Sequence, residues 1–483
     1  MGNASQTPAS KRIADLLDDS SFVEVGAFVA ARSTDFHMAE KATPGDGVVT
    51  GYGTIGGQLV YVFSQDATVL GGSLGEMHAK KIAHLYTLAL KMGAPVIGLL
   101  DSAGLRLEEA TDALHGFGKW YLAQTKASGV VPQITAVFGH CGGGLALAAG
   151  LSDFVLMESK SAKLFVNSPN AIPGNDASKC DNGGAKFQSD EAGLVDFAGT
   201  ESEVLELIRE LVGLLPANNE DDQSYTDCDD DLNRLCAGLE NYAGDTGEAL
   251  RIISDDRFFL ELKPGYAKGM AIGFIRINGV TVGCVANRSE TTDGDGKKES
   301  LGPCLTYEGC KKAARFVNFC DAFDIPILTL VNTRGYKSTL DEERHIASSA
   351  ASLTYAFANA TVPKVTVIVG DAFGSAYLVM NGKTLGADVV YAWPTAQIAT
   401  MDAQAAAKIL YADEIAKSDN AVSFIAEKAG QIAAGQSGAV SAAKRGYVDD
   451  IIEANQTRQR VAAAYEMLFT KREDRPAKKH GSL

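Results

Sequence analysis

The sequence predicts an α/β protein made of two copies of one domain, and three observations carry that reading. First, KKIAHLYTLALKMGAPVIGLLDSAG (80–104) matches KKAARFVNFCDAFDIPILTLVNTRG (311–335); Lys81 and Lys312, like Gly104 and Gly335, stand 231 residues apart. Second, VVPQITAVFGHCGGG (130–144) matches TVPKVTVIVGDAFGS (361–375) at the same offset, and upstream GYGTIGGQLVYVFS (51–64) matches GFIRINGVTVGCVA (273–286) at an offset of 222. Third, the short apolar runs PVIGLL (95–100) and PILTLV (326–331) each follow a segment of helical period. Such runs suit strands covered on both faces, in a mostly parallel sheet with helices around it.

Each copy lays out its elements in one order. A hairpin on Gly56-Gly57 or Asn278-Gly279 joins two β-branched strands, a strong two-residue turn signal. A helix and a buried strand follow, then a Gly-bearing turn: Ser102-Ala103-Gly104-Leu105 in the first copy, Arg334-Gly335-Tyr336 in the second. A second strand leads to a second turn, Cys141-Gly142-Gly143-Gly144 or Phe373-Gly374-Ser375-Ala376, each running into a helix-forming stretch. The first domain is assigned to 1–217 and the second to 244–483. Between them, 218–243 opens with NNEDDQSYTDCDDDL, acidic and poor in apolar residues. It reads as a solvated connector, with an acidic partner-binding arm as the alternative.

Length and composition agree. At 483 residues the chain suits two cores rather than one. Hydrophobic residues at 46% and charged residues at 22% mark a globular protein. A net charge of −16 argues against a nucleic-acid footprint or an anionic membrane surface. The eight scattered cysteines form no CxxC pair, so reduced thiols are expected. Met1 to Lys11 lacks the apolar stretch of a secretory signal, and no run of about 18 apolar residues exists to span a bilayer. The cytoplasm is the expected compartment.

The turns carry the chemistry. Small residues leading into a helix expose backbone N–H groups at its positive end, where an anion or developing oxyanion can sit. A second N–H from the neighbouring strand end completes a two-donor hole. Glycines that merely allow close helix–strand packing are the alternative; their recurrence in register in both copies favours the hole.

On these residues the sequence resembles the carboxyltransferase subunits of biotin-dependent acyl-CoA carboxylases, the propionyl-CoA carboxylase beta-chain family with its transcarboxylase and decarboxylase relatives. FSQDATVLGGSLGEMHAKKI (63–82), ARFVNFCDAFDIP (314–326), ATVPKVTVI (360–368) and LGADVVYAWPTAQIA (385–399) carry the resemblance, as do RGYVDDIIEANQTR (445–458) and PAKKHG (476–481). It runs from about residue 8 to the end.

The resemblance implies two tandem crotonase-like domains. Acyl-CoA sits on the N-terminal copy and biotin, on a carrier protein, on the C-terminal copy of another subunit, with the active site at the dimer interface of a hexamer. A carboxyl group then moves between carboxybiotin and the α-carbon of a short acyl-CoA such as propionyl-CoA. The thioester hole maps to the amides of Leu105, Gly143 and Gly144, and the ureido hole to those of Tyr336, Ser375 and Ala376. Gly104, Arg106, Gly142, Gly335, Gly374 and Leu378 map to substrate binding. The biotin nitrogen acts as base, so the protein supplies position and dipoles. Biotin carboxyl carrier protein and biotin carboxylase are the implied partners, or a membrane decarboxylase subunit if the chain is the alpha subunit of a sodium-pumping decarboxylase. Relatives typically read Gly-Gly-Ala-Arg, Pro-Gly-Phe and Tyr-Gly-Gly-Ala-Tyr where this chain has Ala103-Gly104-Leu105-Arg106, Arg334-Gly335-Tyr336 and Phe373-Gly374-Ser375-Ala376-Tyr377. Ser375 keeps the amide and adds a side chain. ETTDGDGKKESLGPCLTYEG (290–309) replaces a shorter family stretch.

Other signals are set aside. The GxGxxG match at Gly51 to Gly56 lies within a strand leading to a hairpin, not between strand and helix. Lys91 sits mid-helix without a biotinylation pattern. No histidine pair has metal-ligand spacing, so no metal is expected. Arg106, Glu108 and Glu109 could line the CoA entrance or simply be a solvated helix start. Lys80, Lys81, Lys311 and Lys312 read as exposed helix charges. A crotonase-type hydratase would need a carboxylate pair that GHCGGGLALAAG (139–150) does not supply; a non-catalytic scaffold is the remaining class.

Overall fold

The computed structural model describes residues 7–32, 36–221, 225–292 and 296–476. The first six residues, 222–224 of the connector, 293–295 of the 290–309 stretch and 477–481 of the C-terminal pattern lie outside the described residues. The chain forms two compact units, Met1–Ser224 with Lys263–Tyr266, and Tyr225–Leu262 with Ala267–Leu483. The short Lys263–Tyr266 segment, placed by the sequence in the second domain, packs with the first. There Lys263 Nζ donates to the Gly193 and Leu194 carbonyls (2.6 and 2.9 Å) and pairs with Asp196 at 3.4 Å.

In the first unit, helix α1 (Pro8–Leu16) and strand β1 (Val23–Glu24) precede the hairpin β2 (Val48–Ile55) and β3 (Gln58–Gln65). Then come α2 (Glu76–Met92), β4 (Val96–Ser102), α3 (Ala110–Ala127), β5 (Gln133–Gly142), α4 (Gly144–Gly150), β6 (Phe154–Glu158), β7 (Lys163–Phe165), β8 (Phe197–Gly199) and α5 (Glu201–Leu214). The sheet runs β1-β2-β3-β4-β5-β6-β8, with β7 extending β5. Only the β1–β2 and β2–β3 pairs are antiparallel; the rest are parallel. Its core gathers on Trp120, edge-on to Phe63 at 5.6 Å and stacked on Phe117 at 6.4 Å.

The second unit repeats the plan. Helix α6 (Thr246–Ile253) and strand β9 (Leu260–Leu262) lead to the hairpin β10 (Met270–Ile277) and β11 (Val280–Asn287), then a small hairpin β12 (Glu290–Thr292) and β13 (Lys298–Ser300). After it run α7 (Tyr307–Ala322), β14 (Ile327–Thr333), α8 (Leu340–Asn359), β15 (Lys364–Phe373), α9 (Gly374–Val379), β16 (Val389–Ala392) and β17 (Gln397–Ala399). Four helices, α10 (Ala403–Leu410), α11 (Ala412–Ala416), α12 (Ala421–Ile432) and α13 (Ala439–Lys444), precede β18 (Asp450–Ile451) and α14 (Thr457–Leu468). The order β9-β10-β11-β14-β15-β16-β18, with β17 on β15, is the first sheet's order again.

The repetition reaches single hydrogen bonds. Both hairpins turn on two residues of positive φ, Gly56 (57°) and Gly57 (83°), Asn278 (53°) and Gly279 (77°), as a tight hairpin turn requires. A carboxylate accepts both turn N–H groups in each copy: Asp18 those of Gly56 and Gly57 (3.0 and 2.9 Å), Asp255 those of Asn278 and Gly279 (3.2 and 2.8 Å). An arginine from a later helix holds each carboxylate and a nearby carbonyl. Arg209 donates to Asp18 and the Leu16 carbonyl, Arg458 to Asp255 and the Ile253 carbonyl.

One expectation fails here. Lys80 and Lys311 are exposed, but Lys81 and Lys312 are buried. The N-terminal turn of α2 lies over the start of β2, and Lys81 Nζ donates there to the carbonyls of Gly45 (2.9 Å) and Val48. Burial alone brings its pKa down to about 8 from 10.5, against the pull of Glu24 and Asp46.

Candidate active site

In the first unit the chain leaves β4 at Ser102 and locks into place beside the segment before α2. Ala103 N–H donates to the Gly71 carbonyl at 2.8 Å, Leu74 N–H to Gly104 at 2.8 Å, and Arg106 N–H to Leu74 at 3.0 Å. These bonds fix the peptides around Leu105, whose own N–H has no acceptor among the described residues. The neighbouring strand end lies alongside: β4 and β5 pair at Ser102 and Cys141, and a Cβ on Gly104 would stand 3.8 Å from the Gly142 carbonyl. Gly143 follows at φ 60°, ψ −122°, a conformation essentially reserved for glycine, and starts α4. Gly144 N–H, in the first turn of α4, likewise has no acceptor among the described residues.

The Gly143 amide was expected in this hole, and the structure removes it. Its N–H donates to the Phe165 carbonyl at 2.8 Å, because β7 runs parallel to the end of β5 and pairs Gly142 with Phe165. The N–H groups of Leu105 and Gly144 stay unpaired among the described residues.

The second unit builds the same arrangement 231 residues on. Arg334 N–H donates to Pro303 (2.7 Å), Leu305 N–H to Gly335 (2.9 Å) and Lys337 N–H to Leu305 (2.9 Å), framing Tyr336 as Leu105 is framed. Strands β14 and β15 pair at Thr333 and Ala372, and Gly374 takes φ 61° where Gly143 takes 60°. Among the described residues, the N–H groups of Tyr336, Ser375 and Ala376 have no acceptor. Tyr336 is half-buried; burial pushes its hydroxyl up, and a hydrogen bond with the Ser375 side chain opposes that. At Gly335 a Cβ would meet open space.

Beside these donors lies a cavity of about 580 Å³, within the range of small-molecule sites. Gly374, Ser375 and Leu378 line it from α9, facing Thr400, Leu410 and Ser437. Leu378 is 42% exposed there; its counterpart in the first unit, Leu147, is 54% exposed on α4. Burial pushes the Tyr377 hydroxyl up to about 12, so it stays neutral.

Arg106 does not line an entrance. It is 1% exposed and pairs with Asp46 and with Glu109 (2.8 Å), while its other donors reach Ser73 Oγ and the Ser73 carbonyl. Glu109, also buried, accepts the Glu76 N–H at 2.6 Å, and Asp46 accepts the His78 N–H at 2.7 Å. Two carboxylates thus cap α2 from outside, where its N-cap, Gly75, has no side chain to do so. In the second unit Glu342 accepts the Tyr307 N–H at 2.8 Å in the same way. Only Glu108 of this group reaches the surface, paired with Lys41 at 3.5 Å. Asp46, 60 residues upstream of its arginine, carried no motif that could have announced it. Burial brings His78 down to about 3 and keeps it neutral, its Nδ1–H donating to the Asp46 carbonyl. Among the described residues no group of His, Cys, Asp and Glu side chains could hold a metal, and no helix is long and apolar enough to cross a membrane. The eight cysteines are free thiols.

Comparison with known proteins gives one answer. The carboxyl transferase domain family matches residues 4–483. Methylmalonyl-CoA decarboxylase subunit alpha of Veillonella parvula is 41% identical over 98% of this chain and 92% of its own. The propionyl-CoA carboxylase carboxyltransferase subunit of Haloferax mediterranei is 40% identical over 98% and 93%. Among solved structures, a transcarboxylase 12S crystal structure, reported as a hexamer with hydrolysed methylmalonyl-coenzyme A bound, superposes with a TM-score of 0.92 at 39% identity. That match covers 98% of this chain and 92% of that one.

Proposed function

The chain belongs to the carboxyl transferase family, a carboxyltransferase of the biotin-dependent carboxylases and decarboxylases with two crotonase-like domains, and from that premise we propose how its two halves divide the reaction. The first unit takes a short acyl-CoA, of the propionyl and methylmalonyl kind that its relatives' names carry. The second takes biotin delivered on a carrier protein. Each reaction centre combines the first unit of one copy with the second unit of another, within a hexamer like that of the transcarboxylase.

The duplicated frame of unpaired N–H groups supports this division most directly. Leu105 and Gly144 hold the thioester oxygen as negative charge develops on it during α-proton removal or carboxyl transfer. Tyr336, Ser375 and Ala376 do the same for the ureido oxygen. The surrounding bonds fix these donors beforehand, so no reorganisation is needed as charge appears. The cavity beside Ser375, where Leu378, Ile398 and Leu410 stand with polar Thr400 and Gln436, has room for a bicyclic urea. Biotin, when bound, supplies the nitrogen that carries the carboxyl group and acts as base. No side-chain base is needed, and Glu109, the nearest buried carboxylate to the first hole in sequence, is already held by Arg106 and the Glu76 N–H. That disfavours a hydratase.

Purified chain with free biotin and methylmalonyl-CoA should release CO2 only when biotin is present; inertness would overturn the assignment. Ser375→Pro removes one N–H in the first turn of α9, where proline is tolerated. It should lower turnover by about 10²–10³-fold, the usual cost of one oxyanion donor, while Ser375→Gly retains it. The similarity to a decarboxylase alpha subunit supports a second reading with the same chemistry. Co-purification with a membrane subunit rather than a soluble biotin carboxylase would select it.

A further inference from the structure

The cavity of the second unit has walls of one charge. Among the residues that line it, only Lys383 and Arg445 are charged, and both are cations, in a chain whose net charge is −16. Lys383 is already engaged, its Nζ donating to the Asp388 carbonyl (2.8 Å) and to Asp449 (2.7 Å). Arg445 is exposed, and among the described residues its guanidinium has no ion pair and no hydrogen-bond acceptor. The carboxylates that follow it in sequence are taken: Asp449 also accepts the Val390 N–H at 2.7 Å, and Asp450 pairs with Arg460 at 3.7 Å. The backbone beneath the side chain is fixed. Arg445 ends α13, where its N–H and that of Tyr447 both donate to the Ala442 carbonyl (3.1 Å each), and Gly446, at φ 78°, donates to Ala443 (3.0 Å). No α-helix stands in the corresponding place between β7 and β8, so this cation belongs to the cavity and not to the duplicated frame. A guanidinium without an anion, on the wall of a cavity without a carboxylate, favours an anionic ligand.

Under the function proposed above, on which this inference rests, the ligand of this cavity alternates between two states of charge. The free bicyclic urea is neutral, whereas the carboxylated urea bears a carboxylate on one ring nitrogen. Main-chain N–H groups serve the ureido oxygen in both states and so distinguish them little. A guanidinium does distinguish them, because its planar fork gives a carboxylate paired, charge-assisted hydrogen bonds and the neutral urea offers it no charge. We propose that Arg445 is a binding residue specific for the carboxylated urea, its guanidinium donating to the carboxylate on the ring nitrogen. Lys383, held by Asp388 and Asp449, does not compete for that role.

The test uses the full chain as wild type, Arg445→Gln and Arg445→Lys, with two probes whose tails carry no charge, biotinamide and N-carboxybiotinamide. Biotinamide is titrated against the melting temperature. N-carboxybiotinamide is the carboxyl donor to propionyl-CoA, a transfer in which the carboxyl carbon leaves the ring nitrogen for the α-carbon and the α-proton goes to that nitrogen. Arg445→Gln should raise the KM for N-carboxybiotinamide about tenfold, as loss of a hydrogen bond to a charged group does. The biotinamide requirement, the KM for propionyl-CoA and the melting temperature of the free protein should not change, because the side chain is exposed and unpaired. Arg445→Lys, which keeps the charge, should fall between wild type and Arg445→Gln. An unchanged KM for N-carboxybiotinamide overturns the inference alone, as does an equal rise in the biotinamide requirement. A rise confined to propionyl-CoA overturns it too, by placing the cation at the phosphates of coenzyme A. A lowered melting temperature with all three ligands affected alike makes Arg445 structural and overturns it as well. A wild type that neither binds biotinamide nor carboxylates propionyl-CoA overturns both the inference and the proposed function.

Discussion

Single residues in this chain earn their roles from partners far away in sequence. Arg106 follows a Gly-bearing turn at a strand end, which is why the sequence offers it as an entrance residue. It is instead the buried hub between Asp46, Glu109 and Ser73. Arg106→Ala leaves two buried carboxylates without their cation and should cost about 3–5 kcal/mol in chemical denaturation; a change in acyl-CoA KM with unaltered stability would restore the entrance reading. Lys81 was equally misplaced, because helical period shows which face a lysine is on but not what lies over that face. Its folded pKa, about 8, lies below the ordinary 10.5. Between those values the unfolded chain binds more protons, so the Lys81 contribution to stability rises with pH across that window. The stability of wild type relative to Lys81→Met should therefore increase from pH 8 to pH 10.5; a flat difference would mean the ammonium is not desolvated. Of the candidate amides Leu105, Gly143 and Gly144, only Gly143 is already engaged, by the Phe165 carbonyl. The sequence marks the turn, but only the β7 pairing decides which of its N–H groups stays unpaired.

At the scale of elements, much was legible. The hairpins, the helix-then-strand order and the offsets of 231 and 222 follow from turn chemistry and apolar period, and the paired registers repeat them: Ile55 with Gln58 and Ile277 with Val280, Ser102 with Cys141 and Thr333 with Ala372. What fastens the elements was not legible. Asp18 lies 38 residues before the hairpin tip it caps and Asp255 lies 23 before its own, with intervening chain that gives no periodic clue. Asp18→Ala removes a charged acceptor from two turn N–H groups and a partner from Arg209. It should lower stability by about 1–2 kcal/mol, measured by thermal or chemical unfolding, and Asp255→Ala should do so more severely because its carboxylate is more deeply buried. Equal and negligible effects would mean that the turns hold themselves. The helices α10, α12 and α13, which line the Ser375 cavity, have no counterpart of similar helical content between β7 and β8, so duplication alone could not anticipate the cavity.

At the scale of the molecule, one domain plan has been used twice with different side chains on the same frame. Leu105 and Gly144 stand where Tyr336 and Ser375 stand in the other copy, and the second adds hydroxyls and a cavity to the shared amides. A set of unpaired main-chain N–H groups is a property of the frame, so it survives duplication while the surrounding side chains diverge. The most direct test is co-expression of two impaired chains, Leu105→Pro in the first hole and Ser375→Pro in the second. If each centre draws its two holes from different copies, a mixed assembly contains some centres with both holes intact, and biotin-dependent decarboxylation of methylmalonyl-CoA should return to about a quarter of wild type, as random pairing in a two-fold assembly gives. Mixed assemblies as inactive as either parent would contradict a centre shared between copies, and full activity in either parent alone would contradict the holes themselves.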